Sequence, residues 1–188
     1  MLNHIKGGLK VFYDYCISLI LFIIFLYPFL SFTKENFLKW LPLFSLFIFL
    51  LMALITYSDM KALAFKEKRP QYSETMMPYP WKGIVLGLIG FVPFIIIEIV
   101  LFSFTFGEVL EVLKPALIKG LLGPIYFFIS IADNGALGYI IANLAIPVIS
   151  LLGYLAGHYD YDLGVKFKKY FKKLKEIKEK IQEKYPSE

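Results

Sequence analysis

Residues 83–106 read GIVLGLIGFVPFIIIEIVLFSFTF, a block of 24 residues interrupted by a single charged side chain, Glu98. At a rise of about 1.5 Å per residue, roughly 20 apolar residues cover the ~30 Å hydrocarbon layer of a bilayer, so this block predicts a membrane-spanning helix. Three further blocks share its character, at 11–32, 37–57 and 136–157. Hydrophobic residues make up 58% of the chain and charged ones 19%, against about 45–50% apolar in a soluble domain. The expected fold is therefore an all-α integral membrane bundle of four spans, covering residues 1–162, followed by a basic tail at 163–188.

The connections refine this picture. Only a few residues around Thr33, Lys34, Glu35 and Asn36 separate the first two spans, which forces an antiparallel hairpin. Residues 58–82 are polar and carry prolines at 70, 78 and 80, so a cytoplasmic loop is expected there. Within 108–132 the apolar run Leu121–Ala132 is too short to cross a membrane. It is expected as an outer-side interfacial or re-entrant segment, broken at Pro115 and Pro124.

Basic residues set the orientation, because positive charge is retained on the cytoplasmic side. Lys6, Lys10, five basic residues of the middle loop and nine tail lysines give sixteen on one side. Lys34, Lys39, Lys114 and Lys119 give four on the other. Both termini are expected to be cytoplasmic. Trp81, Tyr57 and Tyr154 then fall at the inner boundary, and Trp40, Tyr27 and Tyr139 at the outer one. The first block is too long for a signal-peptide core and has no small-x-small cleavage site after it, so it reads as a retained helix.

Glu98 is the residue that invites chemistry, because a carboxyl within a spanning helix is costly unless protonated, paired or facing water. Gly83, Gly87, Gly90, Phe94 and Glu98 share one face of their helix. Asn143, Ile146, Ser150, Gly153 and Gly157 share a face of the last span. Antiparallel packing of the two would match Gly83 with Gly157, Gly87 with Gly153, Gly90 with Ser150, and Glu98 with Asn143. Asn143 is thus the expected hydrogen-bond partner of Glu98, and Lys119 the second candidate. Asp14, between two tyrosines at the inner end of the first span, is expected as a solvated boundary acid. The tail forms an amphipathic pattern with Phe167, Tyr170, Phe171, Leu174, Ile177 and Ile181 on one stripe. Lys168, Lys169, Lys172 and Lys173 would lie against anionic lipid.

Several functions are disfavoured. The chain has one cysteine, Cys16, and two histidines, His4 and His158, so neither a metal site nor a Ser/His hydrolase is expected from them. No phosphate-binding glycine loop or metalloprotease motif occurs, no cofactor is implied, and the lysines do not sit in a nucleic-acid-binding fold. The stretches PVISLLGYLAG (147–157) and WKGIVLGLIG (81–90) are similar to the last helices of small uncharacterised multi-pass membrane proteins of Gram-positive bacteria. That resemblance implies a bacterial cytoplasmic-membrane protein and brings no activity with it. Two functional expectations stand. One is a non-enzymatic accessory or scaffold component of a membrane complex, with a protein partner or a second copy of itself. The other is a small oligomeric carrier or channel using Glu98 as a proton or cation site.

Overall fold

The computed structural model describes residues 2–69, 79–103 and 108–161. The chain forms α1 (Leu2–Thr33), α2 (Phe37–Glu67), α3 (Lys82–Ser103), α4 (Glu108–Leu121), α5 (Tyr126–Ile131) and α6 (Ala136–His158), with 3-10 turns at Lys34–Asn36 and Gly123–Ile125. The stretches His4–Glu67, Lys82–Ser103 and Ala136–His158 are long and apolar enough to cross a membrane. The first doubles back at Lys34–Asn36, where Lys34 takes a positive φ of 44°. Ring contacts between Phe29 and Phe44 at 4.5 Å and Phe22 and Phe44 at 5.2 Å, with a Lys10–Asp59 ion pair at 3.2 Å, close α1 and α2 into an antiparallel hairpin. The expected helical membrane bundle is what the structure shows, with α1, α2, α3 and α6 as its long members.

Three expected boundaries need correction. The first helix begins at Leu2, well before Val11. The middle loop does not begin at residue 58, because α2 continues to Glu67. Met60, Ala64 and Glu67 recur at helical spacing and are all buried, so inward packing extends the helix beyond the apolar block. Pro115 does not break the outer segment either: α4 runs through it, and the break falls at Gly123–Ile125 around Pro124.

The segment 108–131 forms a sharply bent helix pair, the geometry of a broken span or of a re-entrant loop. Leu113–Leu121 and Gly123–Ile131 are bent by 72° relative to one another. The bend reaches the middle of the α1–α2 hairpin, where Gly123 lies against the ring of Phe22 and the hydroxyl of Tyr15 donates to the Leu121 carbonyl at 2.9 Å. Non-helical backbone at that depth must be satisfied by protein. Ser45 does this, donating to the Gly123 carbonyl at 2.7 Å and accepting from the Phe127 N–H at 2.9 Å.

The small-residue seam is divided among three helix contacts instead of forming one. A Cβ on Gly83 would lie 2.6 Å from the Ser150 carbonyl, and one on Gly87 2.6 Å from Pro147 Cα, so these two glycines do pack on α6. Their partners are Ser150, Pro147 and Tyr154, not Gly157 and Gly153. Gly90 meets Gly8 and Val11 of α1, while Gly153 and Gly157 meet Tyr57 and Lys61 of α2. Stripes of glycine permit close approach without choosing the neighbour.

Because a side chain at Gly87 would collide with backbone, Gly87→Leu is expected to destabilise the bundle by about 1–3 kcal/mol. Gly120→Leu is the control, since nothing lies within 4 Å of a Cβ there. Thermal unfolding in mild detergent measures both; equal midpoints would show that the α3–α6 approach is not close.

Candidate functional site

α3 carries a charged side chain near each end, Lys82 and Glu98, about 24 Å apart along the helix axis. Glu98 is 5% exposed and lies opposite α6, which presents Asn143. The Asn143 Nδ2 donates to Glu98 Oε2 at 2.9 Å. The Asn143 Oδ1 is buried and has no hydrogen-bond partner. Tyr15 of α1 and Tyr139 of α6 lie within electrostatic range of the Glu98 carboxyl. Lys119, the other expected partner, instead places its Nζ 5.8 Å above the ring of Tyr126. A pocket of about 350 Å³ lined by Lys114, Lys119, Asn134 and Tyr139 opens beside it, where α3 ends and α6 begins.

At the opposite end of α3 stands a site that the sequence reading missed. Lys82, expected in a solvated loop, is 0% exposed, and Glu67 is 1% exposed. The Lys82 ammonium donates to both Glu67 carboxylate oxygens at 2.9 Å, and the Tyr154 hydroxyl donates to Glu67 Oε2 at 2.6 Å. Tyr154 is therefore a buried partner and not a boundary anchor. His158 stacks on its ring at 6.3 Å. The only signal in the sequence was the pairing of a glutamate after Met60 and Ala64 with a lysine opening an apolar block, which reads equally well as two solvated loop charges.

Asp14 also departs from expectation: it is 3% exposed, not solvated. It faces Thr56 and Asp59 of α2 and Lys10 of its own helix. The Ser18 hydroxyl, one turn on, donates to its backbone carbonyl at 2.8 Å. Burial follows from the hairpin, which turns this face of α1 onto α2. The lipid-facing lysines expected at 168, 169, 172 and 173, like Thr105, Phe106 and the whole tail at 163–188, lie outside the described residues. Among the described residues no group of three or more His, Cys, Asp or Glu side chains is placed to hold a metal ion.

Comparison with protein-family models, with curated proteins and with solved structures finds no match to this chain.

The two acids differ chemically. Glu67 has a full countercharge and a phenol, while Glu98 has one amide donor. Lys82→Met would leave the Glu67 carboxylate buried and unpaired, and is expected to cost about 3–5 kcal/mol. Adding Glu67→Gln to it should restore part of that loss, as read by a double-mutant cycle of unfolding midpoints; strictly additive losses would show that the two are not coupled. Glu98→Leu should cost about 1–3 kcal/mol by stranding the Asn143 amide, whereas Glu98→Gln keeps a partner and should unfold near the wild-type midpoint.

Proposed function

We propose that this chain is a non-enzymatic accessory or scaffold component of a membrane complex, set in a bacterial cytoplasmic membrane with both termini on the cytoplasmic side. The observation that carries this reading is a groove on the outside of the bundle between α2 and α6. One part of it, about 470 Å³, is lined by Leu50, Ala53, Leu54, Tyr57, Ile149 and Leu152. A second part, about 370 Å³, shares Tyr57 and Leu152 and continues past Ala156 to Tyr159 and Tyr161. The groove follows the helix axes, and its alanines leave room for the backbone of another helix to approach, the usual condition for association in lipid. The helices that form it are fastened from within by Gly153 and Gly157 against α2, so a partner would meet a stiff surface. The basic tail supports the orientation and supplies a second attachment, to anionic lipid.

Two experiments test this. In the first, the tagged full chain is purified from native membranes in mild detergent alongside Ala53→Trp, which fills the groove without entering the core. A stoichiometric membrane protein that co-purifies with the wild type and is lost with Ala53→Trp is the expected outcome. A folded chain that runs alone in both preparations would overturn the reading. In the second, single cysteines are placed in a Cys16→Ser background and labelled on intact cells with a membrane-impermeant maleimide. Asp133→Cys should react from outside and Arg69→Cys only after permeabilisation. The reverse pattern would invert the orientation.

A further inference from the structure

We propose that Glu98 and Asn143 form a reversible proton-binding site that exchanges with water through the pocket at Tyr139. This goes beyond the scaffold reading and does not depend on it. Asn143 carries an unused acceptor. Asn143 spends its Nδ2 donor on Glu98 Oε2, and its Oδ1 is left buried without a donor. Pro147, four residues further along α6, has no N–H to offer the Asn143 backbone carbonyl, so a second acceptor at the same residue lacks its helical donor.

A carboxylate has no hydrogen to give, whereas a carboxylic acid has one. Protonated Glu98 closes a two-bond acid–amide ring, with its O–H donating to Asn143 Oδ1 while Nδ2–H donates back. Loss of the proton to water opens one side of that ring. The contrast with Glu67 is what makes Glu98 the exchanging group. Glu67 takes hydrogen bonds from the Lys82 ammonium and the Tyr154 hydroxyl, while among the described residues no Lys or Arg forms an ion pair with Glu98.

The groups facing Glu98 come from each element around it. Tyr15 of α1 has committed its hydroxyl proton to the Leu121 carbonyl. Tyr139 of α6 stands one turn from Asn143 and also lines the pocket that holds Lys114 and Lys119 of α4. Tyr139 is thus the residue common to the surroundings of the acid and to the lining of that pocket. One proton is taken from water on binding and returned to it on release, with no other bond made or broken.

The test is infrared difference spectroscopy of the full chain in anionic-lipid vesicles, stepped reversibly in pH. A carboxylic-acid C=O band should grow on acidification and fade on return. It should be absent from Glu98→Gln and retained in Asp14→Asn. Should Glu98→Gln fail to fold, Glu98→Asp keeps an acid and must move the band instead of removing it. A Glu98 band that stays constant over the whole pH range in which the fold persists would make the acid a permanent structural lock. The absence of any band assignable to Glu98 would make it a permanent carboxylate. Either result overturns the proposal.

Discussion

Lys82 has no exposed surface and lies at the start of a helix whose next twenty residues belong in hydrocarbon. An ammonium there needs an opposite charge supplied by protein, because neither lipid nor water is at hand to solvate it. Glu67, the last residue of α2, supplies that charge, and Tyr154, about one turn before the end of α6, donates to the same carboxylate. Three helices are thereby fixed at one point. The glycine contacts of Gly83 on Ser150 and Tyr154, and of Gly157 on Lys61 and Ala64, lie within a turn or so of it. Small residues allow these helices to touch, and the ion pair decides which ones do.

The same rule, that polar groups inside a membrane are satisfied by the protein itself, explains the other half of the molecule. The bend between α4 and α5 exposes backbone groups at mid-depth, and Ser45 and Tyr15 reach across to take them. Phe22 fills the space left by Gly123, and Leu122, Ile125 and Ile129 are buried around the turn. The bent segment also lines the pocket that reaches Tyr139. Structure and candidate chemistry share one set of contacts there. At the Lys82 end a cation and a phenol meet the carboxylate while His158 Nδ1 stays without a partner, and at the Glu98 end the Asn143 Oδ1 does.

Much of the architecture was legible in hydropathy alone. The four apolar blocks, the tight turn at Lys34–Asn36 and the shortness of 121–132 all follow from the thickness of a bilayer and the rise of a helix. Glu98 stood out because its neighbours are isoleucines, and pairing it with Asn143 needed only the equal depth of two antiparallel helices. Glu67, Lys82 and Asp14 were not legible. Each lies beside other polar residues at the edge of an apolar block, where a solvated charge and a buried one look alike in one dimension. Ser45 was equally hidden, because its role exists only once a distant turn is brought to it.

The sequence by itself determined that this chain forms long apolar helices, where their apolar blocks lie, and which single acid sits deepest in one of them. These are properties of a segment and its solvent, and segments carry them before they meet. Tertiary structure alone decided which neighbour each glycine face receives, that α2 runs on to Glu67, and that Lys82 is buried. It also decided that Glu67 is buried with it as its countercharge. Those outcomes depend on the angle at which helices cross, and helix contacts in lipid are chosen by packing and by polar partners rather than by hydrophobicity, which every face of these helices already has.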